Sequence, residues 1–154
     1  VGSSSTILAT TADGVGINAT SPTAALDVRE PARLQSTYEL PGTVTSSSNT
    51  ITLPVNEHNT FLHTTTENVS KFVLSGVKSG SAASFTIKIV QGTSPKTVAV
   101  DVFETTSGVS IPVNWPGGVV PVMTSVAGSI DVYSYITFDG GTSLYGVVGG
   151  QNFS

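Results

Sequence analysis

Between Asp13 and Val28 the chain strings its large apolar residues out singly, and no packing within that stretch can gather them into a core. The run Asp13-Gly14-Val15-Gly16-Ile17-Asn18-Ala19-Thr20-Ser21-Pro22 leads on to Ala25-Leu26-Asp27-Val28, with Ile7 and Leu8 just upstream. A segment this thin stays disordered unless another surface covers it. Each large apolar side chain that is fully buried contributes about 1.5–3 kcal/mol. Ordering one backbone residue costs about 1–2 kcal/mol. Residues 1–37 therefore read as an extended arm that sits near balance until it is covered. Val15, Ile17, Leu26 and Val28 are its candidate contacts with other copies of the chain.

Residues 2–6 are linker-like, and Asp13-Gly14 and Ser21-Pro22 are turn signals. Arg29-Glu30-Pro31-Ala32-Arg33-Leu34 starts either a helical turn after Pro31 or a plain linker. From Tyr38 the pattern changes, and residues 38–154 read as one β domain. Short runs rich in Val, Ile, Thr and aromatics recur between Gly, Ser, Pro and Asn clusters. Strands are expected over 42–45, 50–53, 60–65, 71–75, 84–91, 97–103, 109–115, 130–138 and 144–148.

Two runs alternate clearly. Phe85, Ile87 and Ile89 oppose Ser84, Thr86 and Lys88, while Ile130, Val132, Ser134, Ile136 and Phe138 oppose Asp131, Tyr133, Tyr135 and Thr137. Period two means one face inside and one face wet. In the second run the aliphatic set is the expected inner face. Tyr133 and Tyr135 then share the polar face, where they are either covered by an adjacent subunit or strand or form a platform for sugar rings or for a neighbouring protein. Asp139-Gly140-Gly141-Thr142 reads as a hairpin turn, and Pro116 must leave the sheet because it has no N–H for a ladder. No stretch sustains helical periodicity. The expected fold is all-β, with an extended N-terminal arm followed by an antiparallel, jelly-roll-like sandwich.

Charged residues make up 10% of the chain, against about 25% in ordinary soluble domains. Net charge is −4 with six Lys+Arg and no basic patch, so nucleic acid is not an expected partner. The chain has no cysteine, which removes disulfides and thiolate metal sites. No apolar run approaches the length of a membrane span, and no leader pattern opens the chain. The first residue is Val1 rather than Met, which reads as a processed product or part of a longer chain.

Catalytic constellations are thin. Serines abound, but there is no Gly-x-Ser-x-Gly elbow. His58 and His63 sit beside an expected surface turn and read as two solvated histidines. Asp101 and Glu104 flank Phe103 and read as water-facing. Asp131 and Asp139 would lie about 25 Å apart on an extended strand, too far for a two-carboxylate mechanism. Glu57-His58 with His63 matches no zinc spacing. No enzyme activity, no metal and no cofactor are expected.

The Gly14-Val15-Gly16-Ile17…Pro22…Leu26-Asp27-Val28 stretch resembles the short Gly-Ile-Gly…Pro…Leu-Asp-Val stretches of bacteriophage tail fibres and related trimeric adhesins. A second likeness covers roughly residues 38–154. Its positions are Trp115-Pro116-Gly117-Gly118, Pro121, Gly128, Asp131-Val132-Tyr133, Thr137, Asp139-Gly140-Gly141-Thr142, Tyr145-Gly146 and Gly150-Gln151-Asn152-Phe153. Together they look like the C-terminal β domain of structural proteins in marine phages, cyanophages among them. The resemblance implies a non-enzymatic virion protein, homotrimeric, assembled in the host cytoplasm and carried on the virion surface. It implies a fibre or spike component that attaches to host surface glycans, or else a capsid decoration (cement) protein that stabilises the head shell. The partners implied are its own copies and a fibre shaft or capsid protein, with no membrane insertion.

Overall fold

The computed structural model describes residues 8–11 and 14–154. The linker expected over 2–6, together with Ile7 and Asp13, lies outside the described residues. The chain divides into two compact units, Val1–Tyr38 and Glu39–Ser154.

Among the described residues the first unit carries three strands: β1 (Leu8–Thr11), β2 (Gly14–Ile17) and β3 (Leu26–Val28). β2 is central, antiparallel to β1 and parallel to β3. Residues around Pro31 form no helical turn.

The second unit is a sandwich of two sheets. In chain order its strands are β4 (Gly42–Thr43), β5 (Ser46–Ser47), β6 (Thr50–Pro54), β7 (Thr60–Thr64), β8 (Lys71–Ser75) and β9 (Ala83–Val90). β10 (Phe103–Thr105), β11 (Ser110–Ile111), β12 (Val113–Asn114), β13 (Ile130–Thr137) and β14 (Leu144–Phe153) follow. One sheet has the order β11-β10-β8-β6-β5, the other β12-β14-β13-β9-β7-β4. Among the described residues there is no α-helix, and Pro116–Gly118 makes a single 3-10 turn. The protein is all-β.

The sheets are mixed, which departs from the antiparallel jelly-roll expectation. β4, β7 and β9 run parallel in one sheet, and β6, β8 and β10 run parallel in the other. The cause is the path of the chain. From β6 to β10 successive strands alternate between the two sheets, so each return lies beside the strand before last and in the same direction. Parallel neighbours need a crossover connection, and here a strand of the opposite sheet serves as the crossover. The run 97–103 is not the strand expected from sequence. Val98 makes one bridge to Val69, while Val98 and Val100 are buried in the core.

The core lies between the sheets. Phe72, Leu74, Ile51, Leu53 and Phe103 come from one, and Phe61, Phe85, Ile87, Ile89, Tyr133, Tyr135 and Leu144 from the other. Phe103 is the junction. Its ring stacks on Phe72 of the neighbouring strand at 4.9 Å and meets Tyr135 of the opposite sheet at 4.8 Å. Aromatic pairs at such spacing add about 0.5–1.5 kcal/mol beyond their buried area.

β13 turns the other way from the sequence expectation. Tyr133 and Tyr135 are fully buried, while Ile136 and Phe138 are exposed. Register explains the inversion. Tyr135 lies opposite Phe85 and Tyr133 opposite Ile87, and paired residues share a face. That face of β9 is the core face. Each phenol also has a partner inside: Tyr135 donates to the Val100 carbonyl at 2.8 Å, and Tyr133 donates to Asp131 at 3.1 Å. A hydroxyl that finds an acceptor removes the main penalty on burying a large ring. Burial, with Asp131 beside it, pushes the Tyr133 hydroxyl well above its ordinary value, so it remains a donor.

Tyr135→Phe leaves the Val100 carbonyl buried without its donor and is expected to cost about 1–3 kcal/mol, whereas Phe103→Ala should cost about 3–5 kcal/mol. Urea unfolding of the two variants checks the order; equal, negligible losses would contradict this description of the core.

Candidate functional site

The three-stranded sheet of the first unit has two unlike faces. Val15 lies opposite Leu26 and Ile17 opposite Val28 across β2 and β3. Positions two apart on one strand share a face, so these four residues form one apolar surface. Thr10 pairs with Val15 at its β1 side. Among the described residues the surface is open: Val15 is 36% exposed, Ile17 39% and Leu26 61%, with Val28 half-buried.

Glycine makes the other face. Gly16 is buried, and a Cβ there would run into the Ala19 carbonyl oxygen. A Cβ on Gly14 would overlap the Ala24 carbonyl oxygen in the same way. The connection between β2 and β3 therefore lies directly on the glycine face, with Ala19 1% exposed beneath it. Asn18, with a positive φ of 55°, turns the chain out of β2. Parallel pairing is confirmed by Val15 N–H to the Ala25 carbonyl at 2.9 Å and Arg29 N–H to the Ile17 carbonyl at 3.1 Å.

Polar contacts fix the return of that connection. Asp27 accepts from the Thr23 backbone N–H at 3.0 Å and from Arg29 at 3.4 Å, and Arg29 also donates to the Ser21 carbonyl at 3.3 Å. The Thr23 backbone bond, helped by Arg29, holds the Asp27 carboxyl below its ordinary value. Asp27 and the two glycines thus shape a turn that closes one face. Val15, Ile17, Leu26 and Val28 are what remains on the other.

The remaining sequence candidates fall elsewhere. Tyr133 and Tyr135 offer no platform, because both are core residues. The solvated reading of His63 is corrected: it is 2% exposed and its Nδ1 lies 3.0 Å from the Val44 carbonyl. His63 follows Phe61 by two residues on β7 and so inherits the inner face. His58 is half-buried, with Nδ1 2.8 Å from the Leu40 carbonyl. Asp101 and Glu104, read as water-facing, are both half-buried, and Glu104 pairs with Lys71 at 2.7 Å.

Asp131 is also buried, which the alternation alone did not reveal. Burial by itself would raise its carboxyl, but backbone N–H groups of Thr124 and Asn152 at 2.7 and 2.9 Å outweigh that and hold it below the ordinary value. Its role is to tie the 115–129 connection and β14 to the sheet. Among the described residues, no three His, Cys, Asp or Glu side chains converge in a way that could hold a metal. Comparison with family models, with curated proteins and with solved structures finds no match.

Gly16→Ala forces the connection off the glycine face, an overpacking that should cost the small sheet about 1–3 kcal/mol. Hydrogen exchange read residue by residue should show Val15 and Ile17 losing protection while β9 and β13 keep theirs; unchanged protection in β2 would contradict the packing described.

Proposed function

We propose that this chain is a non-enzymatic structural protein of a bacteriophage virion, a homotrimeric fibre or spike component used in attachment to the host surface. The observation that carries the reading is the apolar face of Val15, Ile17, Leu26 and Val28, which stays exposed while the opposite face is closed by its own connection. A three-stranded sheet with one open apolar face gains most from burying it against identical faces, and a threefold axis brings three such faces together. The phage-fibre-like Gly-Val-Gly-Ile…Leu-Asp-Val pattern supplies the glycines and the apolar residues of these two faces. That coincidence of motif and geometry supports the fibre reading.

A second reading, a capsid decoration (cement) protein, is favoured by the low content of charge. Charged residues are 10% of the chain, and a surface poor in charge packs into a lattice with little electrostatic repulsion. The two readings place the protein differently on the particle.

Gold-labelled antibody against residues 39–154, viewed on intact particles by electron microscopy, separates them. The fibre reading expects label confined to tail fibres or spikes. Label spread regularly over the head supports cement, and particles with no label overturn both.

A further inference from the structure

The inversion of β13 leaves a different pair of rings in solvent. Phe138 is 68% exposed and Tyr145 47%, and they pack edge to face at 5.9 Å across the hairpin that joins β13 and β14. Ile136 and Val147 lie beside them, both exposed. Register builds a row across four strands of the outer face: Ser84, Ile136, Tyr145 and Asn114. An aliphatic and an aromatic side chain are thus flanked by a hydroxyl and an amide. Asn114 donates its amide N–H to the Leu144 carbonyl at 3.2 Å, which fixes the side chain and keeps its Oδ1 as an acceptor.

We propose that this patch is a shallow binding site for a neutral sugar ring, with Tyr145 and Phe138 as the stacking surfaces and Ser84 and Asn114 as the hydrogen-bonding flanks. The inference rests on the attachment reading above and gives it a location. Size selects the occupant. The four apolar side chains expose on the order of 400 Å² together, about half of the ~800 Å² that each partner of a stable protein complex buries. That is small for a protein partner and adequate for one or two sugar rings.

Charge narrows it further. The row contains no cation to meet an acidic sugar. The nearest carboxylate, Asp139, is occupied by Thr137, Thr142 and Ser143, with a 2.6 Å bond from the Ser143 hydroxyl. A pyranose presents apolar C–H groups on its faces and hydroxyls around its rim. An apolar centre with polar flanks matches that pattern, and rings held by each other and by the hairpin lose little freedom when they bind.

The test uses the full chain on an array of neutral bacterial surface oligosaccharides, with acidic oligosaccharides as the comparison. Wild type should bind members of the neutral set, and Tyr145→Ala with Phe138→Ala should weaken that binding at least tenfold, with circular dichroism and assembly mass unchanged. Asn114→Ala, which leaves both rings in place, should weaken it less. Binding that survives the double substitution places the sugar elsewhere and overturns the site while sparing the attachment reading. No glycan binding by the intact assembly overturns both, and binding restricted to acidic sugars overturns the proposed ligand. A double variant that changes the assembly mass identifies the patch as a protein interface and also overturns the site.

Discussion

A small β-sheet with glycine on one face and branched aliphatics on the other is an incomplete object. In this chain the glycine face is complete, because the connection from Asn18 to Ala25 lies on Gly14 and Gly16 so closely that no side chain fits beneath it. The aliphatic face holds Val15, Ile17, Leu26 and Val28, and the described residues leave it open. The two facts have one cause. Glycines spaced two apart on β2 put all of that strand's bulk on the opposite side. Folding the connection inward therefore forces the apolar surface outward. The proposed assembly follows from the need to cover that surface.

The sandwich encloses a core of its own. Its core joins the two sheets through Phe103, Tyr135 and Phe85, and its polar interior is tied down by Asp131 and by Gln91. Gln91 takes a 2.9 Å bond from the Thr65 hydroxyl and donates to the Thr124 carbonyl at 2.7 Å. These buried bonds anchor the connections and the end of β14. They let a chain that alternates between sheets keep its long crossings pinned to the core.

Much of this was legible in the residues. Alternation marked β9 and β13, Asp139-Gly140-Gly141 marked their hairpin neighbour's turn, and Pro116 marked a departure from the sheet. The inner face of β13 was not legible, because Ile130, Val132, Ile136 and Phe138 form the more apolar set, while Tyr133 and Tyr135 alternate with Asp131 and Thr137 on the polar one. What decides is the partner strand: Phe85 and Ile87 lie opposite the tyrosines, and long-range register leaves no mark in a local pattern. Strand direction is hidden for the same reason. A period of two records which side a residue faces and says nothing of whether its neighbour runs parallel. The four residues of the arm surface were readable singly. Their gathering on one face needed the register of β2 against β3, and the closure of the other face needed the close approach of Ala19 and Ala24.

Sedimentation equilibrium of the full chain, paired with hydrogen exchange, tests the central claim most directly. The account predicts a species of three times the 15.7 kDa chain mass, reduced to single chains by Ile17→Asp, with the sandwich still folded and the amides of β2 and β3 newly exchanging. A stable 15.7 kDa monomer whose β2 and β3 amides are fully protected would contradict it, because the open apolar face would then need no companion.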